Sequence, residues 1–147
     1  MKTVPSTVFR KALADAGFTM LSPALDAAVN CPSRAWLERD FSDYLAGVQL
    51  PGFAEAVDCD DRAMFARVMA GYSSALAGAR VGVAFAVVWI TIYEAEFNGI
   101  PGPGLHATNA VLLDDGTLVA YEPQSGTLAD FKEALDRGDI SLDRALY

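Results

Sequence analysis

Basic side chains are scarce in this sequence: eleven lysines and arginines stand against nineteen aspartates and glutamates, a formal charge of −8 over 147 residues. A field of that sign repels nucleic acid and anionic membrane, so neither is expected as a partner. Cysteine occurs twice, at Cys31 and Cys59, with no CxxC pair, which excludes a zinc knuckle and a dithiol redox motif. Met1 to Phe9 holds one lysine and no continuous apolar run, so no secretory signal is read and a cytoplasmic protein is expected. In that compartment a free thiol is the better expectation than a structural disulfide. Long apolar runs are also missing. The most apolar stretch, Val81 to Tyr93, is interrupted by Thr91 and falls short of the roughly 20 residues that span a bilayer. Repeats and low-complexity tracts are absent, so one domain over 1–147 is expected.

What is present describes a packed core. Hydrophobic residues make up 52% of the chain and charged ones 20%, which places it among compact globular domains. Ser6 to Ala16 reads as a short amphipathic helix stopped by Gly17, and Leu21 to Val29 as another, opened by Ser22-Pro23. Ser33 caps a third through Trp36, Leu37 and Phe41 toward Leu45, stopped by Gly47. Val48 to Val57, with Pro51-Gly52, reads as a loop. From Cys59 onward Ala63, Ala66, Met69, Ala70, Ser73 and Ala77 recur at helical spacing up to Gly78, predicting a central helix that lies close to its neighbours through small residues. Val81 to Tyr93 reads as a strand buried on both faces, with a buried helix as the rival. His106–Leu113 and Thr117–Glu122 flank Asp114-Asp115-Gly116, a strong hairpin signal. A helix over 128–137 with Thr127 as cap and Gly138 as stop follows, then a short ordered or fraying end over 140–147. The fold class is α+β: a helical first half, a cysteine-headed helix and a small antiparallel sheet.

Candidate chemistry gathers on three residues. A thiol at a helix N-terminus is favoured as thiolate by unpaired N–H groups and the helix dipole, so Cys59 is a candidate nucleophile, although Asp58, Asp60 and Asp61 oppose its ionisation. His106 is the sole histidine. The hairpin is expected to set Glu122 directly across from it, so that the carboxylate orients one imidazole nitrogen and the other accepts the thiol proton. A plain cross-strand polar pair is the simpler alternative.

Three segments, D-C-D-D-R-A at 58–63, G-L-H-A-T-N at 104–109 and Y-E-P-Q-S at 121–125, resemble the papain-like catalytic domain of the Marasmius oreades agglutinin and its bacterial and phage relatives. The resemblance covers about 53–127. It implies a papain-like cysteine protease acting on a protein or peptide substrate, with Cys59, His106 and Glu122 as its catalytic group. It also implies calcium dependence, with Asp60 and Gln124 at positions that could hold the ion, whose charge would outweigh the aspartates beside the thiol. Where papain carries its glutamine oxyanion donor this chain has Phe53, with Gln49 four residues further back. A transglutaminase-like acyl transferase or deamidase, and an inactive binding module of phage origin, are the alternatives.

Overall fold

The computed structural model describes residues 1–21, 26–48 and 58–147. The chain runs through β1 (Lys2–Pro5), α1 (Ser6–Ala16), β2 (Thr19–Met20), β3 (Ala28–Cys31), a π-helical turn (Trp36–Phe41) that continues into α2 (Ser42–Gly47), and α3 (Cys59–Leu76). Then come β4 (Phe85–Ile92), the small hairpin β5 (Glu96–Phe97) and β6 (Ile100–Pro101), β7 (Gly104–Leu112), β8 (Leu118–Glu122), β9 (Thr127–Asp130), α4 (Phe131–Arg137) and β10 (Ile140–Leu146). Six strands form one sheet in the order β2-β10-β4-β7-β8-β9, antiparallel except where β10 meets β2. The protein is thus α+β with a large mixed sheet, and no helix among the described residues is long and apolar enough to cross a membrane.

Strand alternation places a core on each face of this sheet. Ala86, Val88, Ile90 and Ile92 of β4 join Phe9 and Leu13 of α1 and Phe131 of α4 on one side. Phe85, with Val111 of β7 and Val119 and Tyr121 of β8, meets Leu37, Phe41 and the α3 alanines Ala66 and Ala70 on the other. Burial on both faces explains why Val81 to Tyr93 shows no clean alternation. The small-residue stripe of α3 holds in its first part, with Ala63, Ala66 and Ala70 fully buried; further on Ser74 rather than Ser73 is buried, and Ala77, beyond the helix end, is exposed.

Local signals explain the ends of several elements. Gly17, at φ 117, closes α1 by donating to Ala14, and Phe18 N reaches back to Leu13 O. Ser33 Oγ accepts from Trp36 N at 3.2 Å, the predicted cap. Asp130, rather than Thr127, caps α4 by accepting from Glu133 N. Thr127 belongs to β9, whose pairing with β8 outweighs a longer helix.

Two expectations are corrected, and a third is decided between its alternatives. The helix read over Leu21–Val29 is not borne out at its C-terminal end, where Ala28 and Val29 lie in β3 and pair with β1, while 22–25 lie outside the described residues. Of the two expectations for the tail, ordered or fraying, the ordered one holds: β10 pairs with β4 and β2, and its Ile140 and Ala145 are buried. The sheet is neither small nor wholly antiparallel, because β10 inserts between β4 and β2 and runs parallel to β2.

Gly102 is the glycine whose replacement should cost most. A Cβ there would lie 2.2 Å from Glu94 O and 2.6 Å from Ile92 Cγ2, and one of those contacts is backbone. Gly102→Ala is expected to destabilise the fold by about 1–3 kcal/mol, read as a lower urea midpoint at unchanged slope.

Candidate functional site

Cys59 begins α3, preceded by Asp58 at the N-cap position in extended conformation. The helix dipole and the free first-turn N–H groups therefore face the thiol. Across from it lies β7, and Ala107 N donates to Cys59 Sγ at 3.4 Å. Asn109 Nδ2 fixes the approach of the two elements, donating to Ala63 O on α3 at 2.9 Å and Ala86 O on β4 at 3.2 Å.

His106 Nε2 lies 3.2 Å from Glu122 Oε2, with both side chains largely buried at 12% and 3% exposure. The strands pair Asn109 with Tyr121 and Ala110 with Ala120, which sets Glu122 two positions from direct opposition to His106. The pair is diagonal, a separation that these long side chains span. Thr108 occupies the intervening place and donates to Tyr121 O at 2.8 Å and Glu122 Oε2 at 3.3 Å. Gln124 N reaches Glu122 Oε1 at 3.2 Å. A carboxylate in the interior is tolerated only when its oxygens find donors, and here both do.

The three residues are therefore not joined equally. Histidine and glutamate are bonded; the cysteine reaches the peptide next to the histidine, and no hydrogen bond links Sγ to the imidazole among the described residues. His106 Nδ1 is left without a partner among those residues, which suits it to accept a proton. Thr108, Ala107 and Asn109 were missed in the sequence reading. Thr108 had a signal, since it shares the His106 face of an alternating strand; the backbone donor of Ala107 had none.

Burial pushes the Cys59 thiol above its usual range, the Ala107 N–H draws it back, and the carboxylates of Asp58 and Asp60 push it up again. Those two share a hydrogen bond that holds Asp58 low and Asp60 high. Removing either negative charge should lower the thiol pKa. Asp58→Asn is expected to shift the midpoint of the pH dependence of Cys59 alkylation downward, measured by quenched labelling across pH.

The ligand atoms of Asp58, Cys59 and Asp60 lie within 4.8 Å of one another. Two carboxylates and a sulfur are a poor set for calcium, which takes six to eight oxygen ligands. Gln124, the other residue expected at an ion, contributes its N–H to Glu122 and lines a cavity of about 280 Å³ with Glu38 and Asp43. Phe53 and Gln49, weighed as oxyanion positions, lie outside the described residues.

No protein-family model and no curated protein matches the chain. Solved structures do, among them a PSL1a–E64 complex, at TM-score 0.73 and 15% identity over 99% of this chain, and Polyporus squamosus lectin bound to the human-type influenza-binding epitope Neu5Aca2-6Galb1-4GlcNAc, at 0.70 and 15% over 99%. The chain spans about half the length of each, 51% and 49%. At this identity the likeness shows fold alone. It overturns the family expected from the sequence, because the structures matched are those of a lectin and not of the agglutinin's papain-like catalytic domain. The reading as a papain-like thiol protease of that family falls with the assignment. Motifs of five or six residues constrain local geometry, and local geometry does not specify a family.

Proposed function

We propose that Cys59, His106 and Glu122 form a thiol centre for acyl chemistry that breaks a peptide or isopeptide bond. The observation that carries this reading is the buried His106–Glu122 pair, one residue from a backbone N–H that holds the Cys59 sulfur at a helix N-terminus. A bystander pair on a hairpin would not need its carboxylate buried at 2% exposure with donors on both oxygens.

In this reading Glu122 accepts from His106 Nε2, which leaves Nδ1 to take the thiol proton. The thiolate attacks the carbonyl carbon, and the Cys59 N–H steadies the oxygen that gains charge. The C–N bond then breaks, the amine leaves with the proton from the imidazolium, and a thioester remains. Water resolves it to a carboxylate and the free thiol; a primary amine would resolve it to a new amide. The transfer requires Sγ and Nδ1 to approach one another, and catalytic groups are often loosely placed before substrate binds.

A protein that binds without reacting is the second reading, favoured by the match to a lectin solved with a sialylated trisaccharide. One experiment separates the two. The protein is incubated with a mixed peptide library and a labelled primary amine, followed by mass spectrometry, and in parallel titrated with Neu5Aca2-6Galb1-4GlcNAc. Cleaved or amine-modified peptides, lost in Cys59→Ser, support the thiol centre. Saturable glycan binding with intact peptides supports the binding protein.

A further inference from the structure

A cavity of about 310 Å³ opens beside α3, lined by Val29, Val83 and Phe85, all buried, together with Arg67, Asp26 and Tyr72. Arg67 lies eight residues along α3 from Cys59, about 12 Å by helical rise, so this space is separate from the thiol centre. Its Nε is buried and has no hydrogen-bond partner among the described residues, and no ion pair to Arg67 forms among them either. A guanidinium nitrogen withdrawn from water without an acceptor is costly, and a cavity wall is where a ligand can supply one.

The remaining walls define what that ligand is. Val29, Val83 and Phe85 give one wall an apolar face, so the part of a ligand that lies against it is apolar. A carboxylate matches the guanidinium fork and restores the missing acceptor. Asp26 brings a negative charge to the same cavity, its Oδ2 standing 3.5 Å from where a Cβ on Gly82 would sit, and so repels a second anionic group. The volume lies at the low end of small-molecule sites, which limits the occupant to a small molecule of about one ring. Val68 and Tyr72, four residues apart on α3 and both exposed, extend the apolar surface at the mouth. We propose that this cavity binds a small monocarboxylate with an apolar body, its carboxylate on Arg67 and its body against Val29, Val83 and Phe85.

Phenylacetate tests this, with phenylacetamide and phenylmalonate as the neutral and dianionic counterparts, each titrated into uniformly 15N-labelled protein. Saturable shifts are expected for phenylacetate at the amides of Gly71, Tyr72 and Gly82, with affinity weaker by about tenfold or more for phenylacetamide and in Arg67→Met. Phenylmalonate is expected to bind more weakly than phenylacetate. The comparison of acid with amide is made on the unaltered protein, so it stands even where Arg67→Met does not fold. Equal affinity for acid and amide, undiminished binding to a folded Arg67→Met, or no saturable shift at these three amides would overturn the proposal.

Discussion

Changing His106 to alanine is expected to slow alkylation of Cys59 by iodoacetamide at neutral pH by roughly 10²–10⁴-fold, the range that a positioned base contributes. The reason lies in the opposing influences on the thiol. Burial and two neighbouring carboxylates disfavour the thiolate, and a single backbone N–H with the helix terminus does not reverse them. Only a base that takes the proton can make Cys59 react quickly near pH 7, and His106 is the base that the fold brings to the adjacent residue of β7. Glu122→Gln should give an intermediate loss, since the amide keeps the shape but supplies less support to a protonated ring. Cys31 serves as an internal control: it is 1% exposed, and burial raises its thiol, so it should label slowly in every variant. Equal, slow labelling of Cys59 in wild type and in a folded His106→Ala would show that the imidazole does not act on it.

Phe85→Ala is expected to remove about 3–5 kcal/mol of stability, the cost of deleting a fully buried aromatic ring and leaving space behind it. Phe85 stands at the start of β4 and packs edge-on to Phe41 at 5.5 Å and Tyr121 at 5.6 Å, while Phe41 stacks on Trp36 at 5.2 Å. One ring therefore joins the π-helical turn, the central strand and β8. Tyr121 immediately precedes Glu122, and its hydroxyl lies 3.2 Å from Ser42 Oγ on α2, so loosening this cluster also loosens the support beneath the carboxylate. Urea unfolding followed by tryptophan fluorescence would read the change as a fall in midpoint. A loss below about 1 kcal/mol would mean that the three rings do not act as one packed unit.

Where local chemistry decides a structure, the sequence could be read directly. The Gly17 stop, the Ser33 cap, the alanine-faced helix from Cys59 and the Asp-Asp-Gly hairpin are each set by a few adjacent residues. Pairing between distant segments was not visible in that way. Ile140–Leu146 has no strong strand pattern of its own and becomes a strand because β4 and β2 flank it, just as Ala28–Cys31 does through β1 and the bridge from Asn30 to Val83. The candidate site divides along the same line. His106 and Glu122 could be associated through the hairpin, but their diagonal offset and the intervening Thr108 follow from a register that turn residues define only to within a place or two. The family assignment failed for a related reason: three short motifs describe how a loop, a strand and a helix end are shaped, and say little about the chain as a whole.

Covalent capture of the thiol tests the central claim most directly. E64 carries an epoxide that an activated thiolate opens, forming an S–C bond while the ring oxygen takes up a proton. After incubation near neutral pH, intact-mass analysis and peptide fragmentation should find one molecule of E64 on Cys59 and none on Cys31. An unmodified protein, or an adduct on Cys31 with Cys59 free, would contradict a reactive thiol centre built from Cys59, His106 and Glu122.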